Sequence, residues 1–339
     1  MPQTAAGEFV LEMVEKFPDT PSLTLAKACY KKHPELFTSI EAARRNVRSY
    51  RGVAGKRMRK QYINHRGNYR EPRKAGEILF PSIPKPLQQI TDRDPFQIDT
   101  PGRWLIMSDV HLPYHDDAAI RAVWKYALDL GVKGVLLNGD TQDFYAISRW
   151  ETDPRQRDFA HEIETGIEFR TALRQAFGKR TRIVEKLGNH DERLELYLMR
   201  KAPELLDIEA MDYKKLVGLE RNGIELVGEK RPIRLGKLYV LHGHEYRGGF
   251  IPPVGAARWL YLRTQESAIC GHFHSSSSYS KNRISDHTVT CWSTGCLCDM
   301  KPLYARLNDW NTGAAIVEVG KDGSYSVSNF RVVDGKVWS

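Results

Sequence analysis

Five short polar clusters rich in aspartate and histidine stand in the second part of the chain, and each follows a run of apolar residues. In order, they are D-V-H at 109–111, G-D-T-Q-D at 139–143, G-N-H-D at 188–191, H-G-H at 242–244 and G-H-F-H at 271–274. Ligands bind where the carboxyl ends of buried strands open into loops. The placement therefore predicts that the five clusters converge on one site.

The residue types in these clusters indicate metal binding. Aspartate oxygens, histidine nitrogens and an asparagine oxygen suit divalent transition ions, and the set is large enough for two ions that share a bridging carboxylate. A single D-x-H or G-D-x-x-D occurs often by chance. Five clusters in order, each at the end of a strand-like run, are a specific signal.

The series closely resembles the calcineurin-like metallophosphoesterases, whose pattern is D-x-H, G-D-x-x-D, G-N-H-[DE], H and G-H-x-H. The resemblance covers about residues 103 to 335, and D-V-H-L-P-Y-H-D at 109–116 resembles the variant of bacterial and phage-type members. It implies one metal held by Asp109, His111 and His274, a second held by Asn189, His242 and His272, and Asp140 bridging both. Manganese is the expected metal at both sites, with iron, zinc or nickel as alternatives.

The resemblance also implies how the site works. Two cations a few ångströms apart need a shared anion, and a shared hydroxide becomes a nucleophile at neutral pH. His190 would be the general acid that protonates the departing oxygen. Asp143 and Asp191 would orient neighbouring histidines or waters.

Structural alternatives stand beside these roles. A solitary His111 or His242 would more often be a structural histidine, and only the constellation reverses that expectation. Asp191 is equally placed to cap the helix-like segment that follows it. The second histidine of H-G-H, His244, is a candidate bystander.

Two further features near the clusters carry open readings. The cysteines of C-W-S-T-G-C-L-C at 291–298 match no common zinc pattern, so we expect them to serve packing. The interval between Asp140 and Asn189 contains Arg149, Arg155 and Arg157, which are candidate phosphate contacts at the rim of a cleft. An ordinary crossover helix with a charged outer face explains the interval equally well.

The elements that must position these clusters alternate along the chain. Strand-like runs at 104–108, 134–138 and 182–187 are separated by helix-like segments at 117–130 and about 160–177. Strands then dominate, with runs at 224–228, 238–241, 267–270, 288–293, 314–319 and 325–330. This order predicts an α/β domain, a layered β-sandwich flanked by helices.

The N-terminal part has a different pattern. Three helix-like segments lie between about residues 8 and 50, and Thr38 with Glu41 forms a capping box at the start of the third. An arginine-lined third helix followed by a basic stretch is typical of a helix-turn-helix module. A small helical bundle with a solvated basic face is the alternative. The candidate nucleic-acid contacts are Arg44, Arg45, Arg48, Arg51, Lys56 and Arg57.

The positive charge of the chain is concentrated in this region. The whole chain carries a formal charge of +9, and residues 41–75 contain twelve Lys and Arg against two acids. A proline-containing stretch without regular periodicity follows. We therefore expect a basic all-α domain at 1–75, a linker at 76–102 and the phosphoesterase-like domain at 103–339.

Composition limits the remaining classes. With 41% hydrophobic and 27% charged residues over 339 positions, the chain is typical of soluble globular proteins. The sequence indicates neither a signal peptide nor a membrane span, and five cysteines fit reduced thiols better than a disulfide framework. We expect a cytoplasmic protein without membrane contact.

The motif set indicates the type of reaction, phosphate-ester hydrolysis, but does not identify the substrate. The favoured function is a nucleic-acid phosphodiesterase or nuclease, because a basic segment gains affinity by releasing counterions from a phosphate backbone. A phosphomonoesterase or small-nucleotide hydrolase is the alternative. An inactive DNA-binding or scaffold protein is less favoured, because none of the family's ligands is missing from the sequence.

Overall fold

The computed structural model describes residues 4–52, 94–228, 230–246, 255–302 and 305–338. The chain divides into two compact units, residues 1–88 and residues 89–339. Each unit is described by itself.

The described part of the first unit contains three helices, which are α1 (Ala5–Lys16), α2 (Ser22–Lys32) and α3 (Ile40–Tyr50). Apolar residues three and four positions apart give each helix a buried stripe. Val10, Leu25, Cys29 and Val47 from the three helices meet in one core. The N-cap of α3 is Ser39, whose Oγ accepts a hydrogen bond from the Ala42 amide at 3.1 Å.

That cap corrects the prediction of Thr38 by one residue. Ser39 and Thr38 are both good N-cap residues, so the sequence alone did not distinguish them. The extended backbone of Ser39, with φ −167° and ψ 166°, directs its hydroxyl at the free amides of the first turn.

The second unit contains two β-sheets in its described residues. The strands are β1 (Phe96–Ile98), β2 (Gly102–Met107), β3 (Gly134–Asn138), β4 (Arg182–Lys186), β5 (Glu225–Val227), β6 (Ile233–Leu235), β7 (Leu238–Leu241), β8 (Ala268–Cys270), β9 (Ser277–Asn282), β10 (Thr288–Ser293), β11 (Gly313–Val319), β12 (Tyr325–Val333) and β13 (Lys336–Trp338). The seven-stranded sheet has the order β13-β12-β11-β2-β3-β4-β5, and the six-stranded sheet has the order β1-β6-β7-β8-β10-β9.

This unit contains five α-helices in its described residues, and the first two lie where the alternating pattern predicted helices, at 117–130 and about 160–177. The five are α4 (Asp117–Asp129), α5 (Phe159–Phe177), α6 (Arg193–Lys201), the single turn α7 (Tyr213–Leu216) and α8 (Ala256–Thr264). Asp116 caps α4 and Asp158 caps α5 through side-chain oxygens that accept from first-turn amides.

Three apolar layers hold the sheets and helices together. Trp104 and Ile106 of β2 face the other sheet, while Leu105 and Met107 face the helices. Residues alternate sides along a strand, and both faces of β2 are therefore buried. A third layer packs α8, through Leu260, on the outer face of the six-stranded sheet. The resulting helix–sheet–sheet–helix order confirms the predicted layered α/β class.

Several elements were not predicted, and two of them, β1 and β9, show why. Phe96–Ile98 lies in the predicted linker, yet it pairs in parallel with Ile233–Leu235 and buries Ile98 completely. This three-residue strand was not predicted, because the surrounding prolines indicated a linker. The serine run at 275–278, which carries no apolar signal, enters β9 and pairs antiparallel with β10.

Candidate metal centre

The carboxyl ends of parallel strands bring the five polar clusters together. β2, β3 and β4 run parallel in one sheet, and the clusters that contain Asp109, Asp140 and Asn189 follow them. β7 and β8 run parallel in the other sheet, and the clusters that contain His242 and His272 follow those. Side chains from both sheets therefore meet at one edge of the sandwich.

Five of the seven predicted ligands have a left-handed backbone. The φ angle is 56° at Asp109, 51° at His111, 52° at Asp140, 66° at His272 and 56° at His274. Non-glycine residues seldom adopt this conformation, which costs about 1–3 kcal/mol each and clusters at functional sites. The loops are thus bent against local preference, and the surrounding packing holds them there.

Glycines allow the loops to approach each other closely. A Cβ on Gly188 would overlap Oδ1 and the backbone nitrogen of Asp140, and a Cβ on Gly139 would overlap the ring of His242. The G-D and G-N-H-D clusters therefore need glycine at both positions for steric reasons.

The first group of predicted ligands is assembled in a buried pocket. Nε2 of His274 lies 3.2 Å from Oδ1 of Asp109 and 3.2 Å from Nε2 of His111. His111 also lies 3.9 Å from Oδ2 of Asp140. Two imidazole nitrogens and carboxylate oxygens at these separations can face one cation.

The second group lies on the other side of Asp140. Nε2 of His242 is 3.2 Å from Oδ2 of Asp140, and His272 completes a cluster with these two. Asp140 is thus shared by the two groups, as a bridging carboxylate requires. Nε2 of His242 is buried without a hydrogen bond, and Oδ1 of Asn189 is buried without one as well.

These unsatisfied atoms fit a bound metal. A buried polar atom without a partner costs free energy, and such atoms are rare in folded proteins. The amide oxygen of Asn189 and the imidazole nitrogen of His242 are both good ligands for transition ions. The donor set therefore fits the two cations that the sequence predicted.

Hydrogen bonds fix the tautomers of two histidines. Nδ1 of His111 donates to Oδ1 of Asp143 at 2.9 Å, and Nδ1 of His242 donates to the Asn138 carbonyl at 2.8 Å. In each neutral ring, Nε2 then carries the free lone pair and points at the carboxylates. Metal-binding histidines commonly have such a partner on the other nitrogen.

Attraction between the carboxylates and the histidines has the largest influence on the protonation states of the predicted metal ligands. Burial opposes ionisation of Asp109 and Asp140, but the charges of His274 and His242 hold the pKa of each carboxyl below its usual value. Burial disfavours protonated His242, but the charge of Asp140 raises the pKa of His242 to about 10. The ring is therefore protonated at neutral pH without metal, and a bound cation would replace the proton on Nε2. Burial and the charge of His242 lower the pKa of His272 to about 4. The carboxylates are ionised at neutral pH and attract cations.

The predicted general acid His190 lies beside the shared carboxylate. Its Nδ1 donates to Oδ1 of Asp143 at 2.9 Å, and its Nε2 lies 4.0 Å from Oδ2 of Asp140. Arg193 donates to Nε2 of His190 at 3.0 Å and to the Asp143 carbonyl at 2.8 Å. Asp143 therefore orients both His111 and His190, and Arg193 covers the ring nitrogen that faces the group.

Asp191 has a different environment from the one expected. Its carboxylate accepts from the amides of Gln142 and Gly188, each at 2.8 Å, and its Oδ1 lies 3.0 Å from the Tyr213 hydroxyl oxygen. Glu192, rather than Asp191, is the N-cap residue of α6. The N-cap alternative for Asp191 is therefore wrong, and among the described residues its hydrogen bonds go to amides and a phenol rather than to histidines. It ties the G-D-T-Q-D and G-N-H-D loops together.

A buried network behind Asp191 was absent from the sequence prediction. Arg170 forms a double hydrogen bond with Glu185, and the Tyr213 hydroxyl donates to Glu185 at 2.7 Å. Arg170 also donates to the Gln142 side chain at 3.0 Å. The available signal was Glu185 inside a strand-like run, where a charged side chain needs a buried partner.

A second missed contact supports the H-G-H loop. Oε1 of Glu245 accepts from the His242 amide at 2.8 Å and lies 3.0 Å from Nζ of Lys186, and both side chains are buried. The charge of Lys186 overcomes burial and lowers the pKa of Glu245 to about 2. His244, the candidate bystander, lies 3.1 Å from Glu192 instead.

The candidate phosphate contacts in the interval make local contacts. Arg155 pairs with Asp153, and Arg157 donates to Thr152. The guanidinium of Arg149 stacks on Trp150 at 4.8 Å from the ring centroid. These contacts favour the reading of the interval as a charged outer surface.

The candidate nucleic-acid contacts of the first unit differ in their surroundings. Arg45 and Arg48 are exposed on α3, and Arg44 pairs with Glu41 at 3.4 Å. Arg51 donates to the Ser22 hydroxyl and the Phe17 carbonyl, so it links α3 to the preceding helices. Of the remaining predicted contacts, Lys56 and Arg57 lie outside the described residues.

Comparison with known proteins gives distant relatives. No family model matches the chain. The chain is 29% identical over 264 residues to the gene 54 protein of Mycobacterium phage L5, covering 70% of this chain and 98% of that protein. It is 28% identical over 264 residues to the gene 54 protein of Mycobacterium phage D29, with the same coverage.

Solved structures resemble the chain in part. Vacuolar Protein Sorting 29 from Cryptosporidium parvum is 17% identical, with a TM-score of 0.38, over 70% of this chain and 94% of that chain. Yfce, a phosphoesterase from E. coli, is 14% identical, with a TM-score of 0.32, over 67% of this chain and 98% of that chain. Nuclease MPE from Pseudomonas putida is 14% identical, with a TM-score of 0.28, over 67% and 86%.

The described helices differ from membrane-spanning helices in length and polarity. Among the described helices, none combines the length and apolar character that crossing a bilayer would require.

Proposed function

We propose that the chain is a two-metal phosphoesterase of the calcineurin-like metallophosphoesterase type. The observation that carries this proposal is the convergence of the ligand set on Asp140, with His111 at 3.9 Å and His242 at 3.2 Å from its Oδ2. Asp109, His111 and His274 would hold one cation, and Asn189, His242 and His272 the other. Bound cations would neutralise phosphate charge and activate water for attack.

The side chains around the ligands then have distinct tasks. Nε2 of His190 faces Asp140 and accepts from Arg193, while Asp143 holds Nδ1. Once phosphate draws Arg193 away, this nitrogen would take up a proton from solvent and give it to the leaving oxygen. Arg193 already contacts that same nitrogen, so an incoming phosphate would meet its guanidinium first. Arginine is well suited to bind phosphate oxygens.

We further propose that the substrate is a nucleic-acid phosphodiester. The support is the excess of basic residues at 41–75 and the exposure of Arg45 and Arg48 on α3. Both side chains are available to neutralise backbone phosphates. Each phosphate contact on duplex DNA makes the slope of log binding constant against log salt concentration steeper by about 0.9.

Labelled DNA tests the reaction. The purified chain is incubated with 5′-labelled and internally labelled single- and double-stranded DNA in Mn²⁺ or EDTA, beside His190→Ala. Metal-dependent chain scission that the variant lacks supports the proposal. Removal of only the terminal phosphate contradicts the diester substrate and identifies a monoesterase. If no phosphate ester is cleaved and no metal binds, the chain is not a phosphoesterase.

Binding measurements test the role of α3 separately. We expect Arg45→Gln with Arg48→Gln to weaken DNA binding and reduce its salt dependence. The control is Arg121→Gln with Lys125→Gln. These two side chains are exposed on α4 of the second unit, and their replacement removes the same number of positive charges. Equal weakening in both double variants would show that only total charge matters.

A further inference from the structure

Two cysteines that packing was expected to explain lie against the candidate metal centre. Cys296 and Cys298 are buried, with exposed fractions of 0% and 4%. Sγ of Cys298 lies 3.9 Å from Nδ1 of His274. Sγ of Cys298, a ring nitrogen of His111 and a ring nitrogen of His274 all lie within 4.8 Å of one another. A thiol therefore stands beside two of the predicted ligands of the first cation.

The backbone holds Cys298 at this place. The amide of Leu297 donates to the Asp109 carbonyl at 3.0 Å, and Cys298 forms an isolated β-bridge with His115. The segment that follows β10 is thus hydrogen-bonded on both sides of Cys298 to the loop that carries Asp109 and His111. This attachment fixes the thiol relative to the ligands without help from the cysteine side chain itself.

We propose that Cys298 is a ligand of the cation held by Asp109, His111 and His274. The inference rests on the proposed metal centre. On binding, the sulfur–metal bond forms and the S–H bond breaks, and the proton passes to solvent. Thiolate is a soft ligand that favours Zn²⁺, Co²⁺ or Fe²⁺ over Mn²⁺. The first site would therefore prefer a softer ion than the second site, whose proposed ligands Asn189, His242 and His272 include no sulfur.

Cobalt substitution tests this ligand by spectroscopy. The full-length protein is stripped of metal and titrated anaerobically with Co²⁺. We expect visible ligand-field bands together with a near-ultraviolet thiolate-to-Co²⁺ charge-transfer band. In Cys298→Ser, the charge-transfer band should vanish, and the preference for Zn²⁺ over Mn²⁺ in competition should fall about tenfold or more.

Control variants separate the possible outcomes. Cys291→Ser, whose thiol contacts the Glu266 carbonyl and Thr264, should keep the band. Visible bands without a charge-transfer band in the wild type would overturn the thiolate ligand but leave the metal centre. A band that survives Cys298→Ser and disappears in Cys296→Ser would also overturn it. Absence of bound Co²⁺ in metal analysis of the titrated protein would overturn the metal centre itself. Where a variant fails to fold, the wild-type spectrum still decides whether a thiolate binds the metal.

Discussion

Nδ1 of His190 lies 2.9 Å from Oδ1 of Asp143, the same oxygen that accepts from His111. One carboxylate oxygen thus orients a predicted general acid and a predicted metal ligand. Burial opposes ionisation of Asp143, but its hydrogen bonds to the two histidines hold its pKa below the usual value. The carboxylate is charged at neutral pH and fixes both rings.

Replacing this carboxylate should therefore damage two functions at once. We predict that Asp143→Asn lowers metal affinity and turnover about 10- to 100-fold each, because an amide oxygen accepts more weakly from both rings. Isothermal titration with Mn²⁺ and steady-state kinetics measure the two effects. Normal affinity with reduced turnover would show that Asp143 serves His190 alone.

Adjacent residues of one loop should separate metal binding from proton transfer. We predict that Asn189→Ala reduces the bound metal from two ions to one, because it removes the buried amide oxygen. His190→Ala should keep both ions and lower kcat about 10²- to 10⁴-fold. Metal analysis and kinetics on both variants check this. Loss of metal from His190→Ala would contradict the assigned roles.

Arg193 should matter for substrate binding. Its guanidinium bonds to His190 and the Asp143 carbonyl, and bound phosphate would exchange with the first of these contacts. We predict that Arg193→Gln lowers kcat/KM about tenfold or more, mainly through KM, because a charged hydrogen bond contributes about 1.5–3 kcal/mol. Arg193→Lys should recover part of the loss. An unchanged KM with reduced kcat would instead indicate a role in positioning His190.

The buried pair of Arg170 and Glu185 should contribute mainly to stability. Both side chains are fully buried, so Arg170→Met leaves an uncompensated carboxylate inside the protein. We predict a loss of about 3–5 kcal/mol in the free energy of unfolding. Adding Glu185→Leu should recover most of it, as urea denaturation would show. A double variant no more stable than the single one would contradict this account.

Glu162 should make stability depend on pH. Its Oε1 accepts from the Ala146 amide at 2.9 Å, its Oε2 is buried without a partner, and burial raises its pKa from 4.5 to about 7. The folded state therefore holds the proton more tightly. The stabilisation is complete below about pH 4.5 and is lost as the pH rises through about 7.

The measurement for Glu162 is a difference between two proteins. We predict that the wild type loses up to about 1.4 kcal/mol per pH unit across this interval relative to Glu162→Gln, which mimics the neutral form. Urea denaturation over a pH series gives both curves. Parallel curves would show that Glu162 does not titrate there.

The fold and the ligand positions were predictable because they depend on local sequence. Each apolar run that precedes a cluster became a strand, and Asp109, Asp140 and Asn189 follow three neighbouring parallel strands. The carboxyl ends of parallel strands lie at the same edge of a sheet, so the sequence was sufficient to predict that the polar clusters meet there. The roles assigned to the ligands stay predictions.

The supporting contacts were unpredictable because they join distant parts of the chain. Arg170 meets Glu185 and Tyr213 across 15 and 43 positions, and Cys298 meets His274 across 24. Nothing in local periodicity specifies which buried charges will pair. The three-residue strand Phe96–Ile98 was missed for a related reason, since its pairing with Ile233–Leu235 stabilises it.

The left-handed backbone at five of the predicted ligand positions makes the best residue for stability different from the best residue for metal binding. Asp109 and Asp140 hold a conformation that glycine adopts without strain and asparagine tolerates. If these residues bind metal as proposed, selection for that function would keep aspartate and histidine there, whereas selection for stability alone would favour replacement. In a lineage that no longer used the site, glycine and asparagine would be the substitutions that folding favours at these positions.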